Sequence, residues 1–191
     1  MKKYQYLAIC LLLFISCKGE NKPSNVALEN VKSKKKVVLN DDYNELLTLE
    51  IAAKVTGFEP LKAIKTHILK GMTGEILRYN WENGREVVKE KSPSNRKRVV
   101  SSRTDLVQIS FVDFEADNES FSDFVRAETH PELTEIADIG EAAYWNSKKN
   151  YLEVYSNGIS FRAKAEISND DTINKEKTIE LAQLIIKEKL Q

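Results

Sequence analysis

The residue types that usually carry chemistry are few here, and poorly spaced to act together. The two cysteines, Cys10 and Cys17, both fall in the first seventeen positions. The rest of the chain can therefore hold no disulfide, no thiolate metal ligand and no cysteine nucleophile. The two histidines, His67 and His130, are far apart and form no HExxH pattern. A zinc site would have to draw carboxylates from elsewhere, so neither a metal nor a cofactor is expected. A serine or threonine nucleophile needs an adjacent base. Neither GxSxG nor SxxK occurs, and the pair Ser101-Ser102 sits beside Arg103, which stays protonated at neutral pH. No catalytic residue is assigned on this basis. The route left to an enzyme is a site assembled by folding from dispersed Ser, His and acidic residues.

Acids come in neighbouring sets: Asp41-Asp42, Asp113 with Glu115, and Asp170-Asp171. Glycoside hydrolysis needs two such groups facing each other across a sugar, whereas surface acids need no partner. The run from Asp113 to Glu119 lacks the glycine and spacing of an EF-hand loop and reads as solvated. Gly71 to Gly74 is too short for a phosphate loop. Arg96, Lys97 and Arg98 form a basic cluster suited to a polyanion, but no stacking aromatics lie beside it. Twenty-nine basic and twenty-nine acidic side chains cancel, so no overall charge points to nucleic acid. Tyr79-Trp81 and Tyr144-Trp145 would be carbohydrate or partner contacts if exposed. Their alternating strand positions favour the core instead.

The first residues have a different grammar. Lys2 and Lys3 precede an apolar stretch from Tyr6 to Ile15. It is about ten residues long where a spanning helix needs about 20. It therefore reads as a signal-peptide core rather than a membrane span. Phe14-Ile15-Ser16-Cys17 resembles the bacterial lipobox, with phenylalanine in place of the usual leucine three residues before the cysteine. The resemblance implies cleavage between Ser16 and Cys17 and a diacylglyceryl thioether on the Cys17 thiol. It also implies outer-membrane sorting, because Lys18 stands where an aspartate would favour the inner membrane; periplasmic and surface faces both stay open. Cleavage removes two lysines and no acid, leaving the balance slightly acidic. The expected organisation is a signal peptide over 1–16, a lipidated cysteine and flexible tether over 17–40, and one domain over 41–191. Pro23, the Gly and Asn residues and the lysines from Lys32 to Lys36 suit a solvated tether.

The domain must supply any further function. Thr48 and Gly57 bracket a helix as N-cap and stop, and Leu61 to Lys70 reads as a further helical turn or two. Leu77, Tyr79 and Trp81 alternate on one strand face, with Asn83-Gly84 as a tight turn and Arg85 to Lys91 as the return strand. Ser92 to Arg103 reads as an exposed loop. Asp105 to Phe114 reads as a two-sided strand, with Val107, Ile109 and Phe111 together on one face. Glu119 to Glu128 has a helical pattern ended by His130-Pro131. Glu141 to Trp145 suits a short strand. Tyr151 to Ile167 predicts a hairpin about Asn157-Gly158 that sets Leu152 against Ala163, Val154 against Phe161 and Glu153 against Arg162. Asn174 to Leu190 is an amphipathic helix capped by Asn174. The order helix, strands, helix, strands, helix predicts an α+β fold: an antiparallel sheet with helices packed mainly on one face.

Leu46 to Gly57, and Ile139 to Trp145 followed by the hairpin and terminal helix, resemble small bacterial lipoproteins of unknown function. Some of these have a PsbP-like α/β sandwich. The resemblance implies fold and location and brings no catalytic residue. The expected role is a lipid-anchored, non-enzymatic binding or accessory module of the cell envelope. It would be held to the membrane through Cys17 and meet a protein or an envelope polymer. The alternative is an envelope hydrolase.

Overall fold

A computed structural model describes residues 39–69, 74–89 and 99–191. All of them lie in one compact unit, Lys35–Gln191. The fold is α+β, built on a seven-stranded antiparallel sheet in the order β1-β2-β3-β7-β6-β5-β4. The strands are β1 Ile64–Ile68, β2 Ile76–Lys89, β3 Val99–Asp113, β4 Leu133–Glu135, β5 Ala142–Asn146, β6 Tyr151–Ser156 and β7 Ile159–Glu166. The helices are α1 Tyr43–Leu46, α2 Leu49–Thr56, α3 Asn118–Val125 and α4 Asp171–Ile185, the last running into a π-helical turn, Ile186–Leu190.

One sheet face and three helices make the core. Leu77, Tyr79, Trp81, Val107, Ile109, Leu152, Val154, Phe161 and Ala163 point inward against Leu46, Ile51, Val55, Leu181 and Ile185. Among the described residues only α3 crosses the opposite, outer face, where Phe121 stacks on Tyr155 and lies tilted against Tyr144.

Local chemistry sets α2 and the β6–β7 hairpin as the sequence predicts. The Thr48 hydroxyl accepts from the Ile51 N–H, and Gly57 ends α2 with φ +72°. Asn157 and Gly158 both take positive φ, and the hairpin adopts the predicted register, Glu153 opposite Arg162 included.

Elsewhere tertiary contacts override local signals. The expected helical turns over Leu61–Lys70 are not found in its described part, 61–69: a single 3₁₀ turn, Pro60–Lys62, leads into β1, whose β-branched Ile64, Thr66 and Ile68 suit a strand. Asn83-Gly84 is not a hairpin turn. The strand runs on through it, with a register shift between Trp81 and Arg85 that Gly84 accommodates at φ +69°. Buried Asp105 fixes this bulge by accepting from Asn83 and Arg85. The Arg85 guanidinium then reaches the carbonyls of Ser168 and Glu166. Arg85–Lys89 is thus the second half of β2, and Val99–Arg103 is strand rather than loop.

Phe111 does not join Val107 and Ile109. A second register shift, between Ser110 and Asp113, gives Phe111 φ +51° and turns it to the outer face. The Val112 N–H donates to the Tyr43 hydroxyl instead. Asn174 does not cap α4; Asp170 does, and buried Asn174 accepts from the Ile167 and Ser168 N–H groups to bind β7 to the helix. Helix α3 begins at an Asp117–Ser120 capping box and stops at Arg126, in the left-handed region, before His130-Pro131 is reached.

Candidate functional site

The outer sheet face carries a continuous cross-strand row: Glu135, Tyr144, Glu153, Arg162, Ser110, Ile76 and Ile68, from β4 to β1. At its centre lies an ion pair under cover. Glu153 is 3% exposed, and its Oε1 accepts from Arg162 Nε at 2.8 Å and from Nη2. The guanidinium lies between two rings, 3.9 Å from the Tyr151 centroid and 4.3 Å from that of Phe111, with Phe124 at 5.9 Å. Cation–π contact on both faces and a carboxylate on one edge fix the arginine. Burial pushes the Glu153 carboxyl above the usual glutamate range, while Arg162 and Lys149 oppose that shift. The arrangement is a rigid pillar under α3.

Beside the pillar is a cleft of about 390 Å³, lined by Tyr144 from the sheet, Ser122, Asp123, Val125 and Arg126 from the end of α3, and Ala127, Glu128 and Thr129 from a 3₁₀ turn. Tyr144 sits opposite Glu153 in the β5–β6 register. Local bonds shape the rim. The Arg126 N–H donates to the Ser122 carbonyl, Arg126 Nε to the Asp123 carbonyl, and the Thr129 hydroxyl to the Arg126 carbonyl. The side-chain oxygens of Ser122, Asp123, Glu128 and Tyr144 have no hydrogen-bond partner among the described residues. The cleft thus offers one half-buried aromatic ring beside exposed, uncommitted polar atoms, a more polar lining than most small-ligand sites have. Two carboxylates, one guanidinium and the carbonyl end of α3 give it a mildly negative character that disfavours anions.

The residues singled out in the sequence are scattered. Ser16, Cys17, Arg96, Lys97 and Arg98 lie outside the described residues. His67 Nε2 is 2.7 Å from Glu75 Oε1, beside the Tyr43 ring. His130 is exposed, with Nδ1 3.6 Å from Glu132. Neither imidazole hydrogen-bonds to a serine or threonine hydroxyl among the described residues. Two of the acid sets supply caps: Asp42 accepts from Asn44, and Asp170 from Thr172. Asp113 closes a turn by accepting from the Glu115 N–H. Among the described residues no three His, Cys, Asp or Glu side chains gather as metal ligands. Tyr79, Trp81 and Trp145 are core; Tyr144 alone of the four faces the cleft. The Arg126–Thr129 rim leaves no motif in the sequence, because it depends on where α3 ends.

No helix among the described residues is long and apolar enough to cross a membrane. Comparison with protein-family models, curated proteins and solved structures returned no match.

Proposed function

We propose that this chain is a lipid-anchored envelope protein. It is exported by the segment 1–16, carries its lipid on Cys17, and acts as a non-enzymatic module that binds an uncharged stretch of envelope polysaccharide in the Tyr144 cleft. Lys18, in place of an aspartate after the cysteine, supports outer-membrane sorting. One observation carries the binding role: a half-buried tyrosine ring faces a cleft in which its hydroxyl and the side-chain oxygens of Ser122, Asp123 and Glu128 have no hydrogen-bond partner among the described residues. Sugars combine apolar ring faces with many hydroxyls, and such a lining answers both. The negative character of the rim speaks against an anionic polymer here.

The test is calorimetric titration of the full chain with an uncharged N-acetylglucosamine oligomer. Tyr144→Phe keeps the packing on Phe121 and removes the hydroxyl. It is expected to weaken binding about tenfold, the worth of one hydrogen bond of roughly 1.4 kcal/mol, with unchanged melting temperature. Equal heats for the two proteins, or no heat for either, would contradict the reading.

A further inference from the structure

Strand β1 is one edge of the sheet, and no strand among the described residues pairs with its free side. Natural edges are usually short, charged or interrupted by proline. The opposite edge, β4, follows that rule with three residues, two of them exposed. β1 does not. Six large apolar side chains are prominently exposed among the described residues, and four of them lie between positions 61 and 69: Leu61 at 93%, Ile64 at 52%, Ile68 at 40% and Leu69 at 65%.

The β1 sequence, Ile64-Lys65-Thr66-His67-Ile68, is symmetric in character about Thr66. Pairing with β2 puts Ile64, Thr66 and Ile68 on the outer face, opposite Asn80, Arg78 and Ile76. Lys65 and His67 take the inner face, opposite Tyr79 and Leu77. Consider a second β1 laid antiparallel on the free edge, with Thr66 opposite Thr66. Ile64 then meets Ile68 of the other copy twice on the outer face, and threonine meets threonine between them, both favourable cross-strand pairs. On the inner face, Lys65 meets His67 of the other copy. That histidine already holds Glu75 at 2.7 Å, so the lysine approaches a carboxylate and not a bare imidazole. Lys65 makes no ion pair among the described residues. Sliding the register by one pair either way sets Lys65 against Lys65 or His67 against His67 and separates the isoleucines.

We infer that the free edge of β1 is a homodimer interface: two copies join antiparallel about a two-fold axis at Thr66, making one sheet of two domains. The contact is isologous, so it closes at two, and the only sheet edges it leaves among the described residues are the two short β4 strands. It uses neither the Tyr144 cleft nor the lipid and stands or falls separately from them.

A two-fold axis through Thr66 brings that position against itself and no other β1 position. In the full chain, Thr66→Cys should form a covalent dimer with a short bis-maleimide, well above Lys65→Cys and above the unsubstituted chain, which controls for Cys10 and Cys17. Adding Ile64→Lys and Ile68→Lys should abolish that dimer, and melting curves check that these exposed substitutions leave the fold intact. Sedimentation of the unsubstituted chain should show a monomer–dimer equilibrium that shifts with concentration. A monomer at every concentration would overturn the interface. So would Thr66→Cys cross-linking no better than Lys65→Cys, as would a dimer that survives the two lysines, because another surface or another occupant of the edge would then be responsible.

Discussion

Arg162 has aromatic rings on both faces and Glu153 along one edge, and at 21% side-chain exposure it sits under partial cover. Removing one partner of such a pair leaves the other charge poorly solvated. Arg162→Ala should therefore cost about 3 kcal/mol in urea unfolding, with an unchanged m-value. Arg162→Lys should recover little of it, since an ammonium cannot lie flat between Phe111 and Tyr151. Glu153 also makes a signed pH prediction. Its folded pKa is raised, so its contribution to stability is fully present below the ordinary glutamate pKa and is lost as pH rises through the raised value. In Glu153→Gln, unfolding free energy should fall less steeply with rising pH across that window; an unchanged slope would contradict the assignment. Gly140 gives a steric test. Its φ is +60°, and an added Cβ would lie 2.4 Å from the Tyr155 carbonyl oxygen. Gly140→Ala should lose at least about 2 kcal/mol, a fall of roughly 4–8 °C in Tm by thermal unfolding. At this scale the sequence could be read only in part. The hairpin register already pairs Glu153 with Arg162, but their burial depends on α3 and on the reversed Phe111, both set by contacts distant in sequence.

Elements show the same division. Helix α2 and the β6–β7 hairpin were readable because their signals are local: a threonine cap, a glycine stop, and Asn-Gly between alternating runs. The Asn83-Gly84 dipeptide sends the same local signal and yet forms a bulge. Asp105, more than twenty residues on, captures both Asn83 and Arg85 and holds β2 straight through it. Asp105→Ala should release that clamp and strand the Arg85 guanidinium, at a cost on the order of 3 kcal/mol in urea unfolding. If stability is unchanged, the bulge rests on backbone pairing alone. Asn174 carries a related lesson. A cap residue by type, it lies one turn inside α4 because Asp170 caps first, and its amide serves the chain reversal after β7 instead.

For the whole molecule, the fold class follows from element order and alternation, and the antiparallel α+β sheet has the expected character. Strand number was less accessible: β1 was hidden in a stretch that reads as helical turns, and β4 is three residues long. Of the candidate site, the sequence placed Tyr144 in the core by its alternation and made it a contact only if exposed; it is half-buried and faces a cleft that exists only because α3 ends at Arg126. The proposed function joins that cleft to an anchor, and the anchor decides which polymers the cleft can meet. Metabolic labelling with a palmitate analogue, comparing the wild-type chain with Cys17→Ser, tests that claim most directly. Label is expected on the wild type and none on the variant. Equal label on both, or none on either, would contradict it.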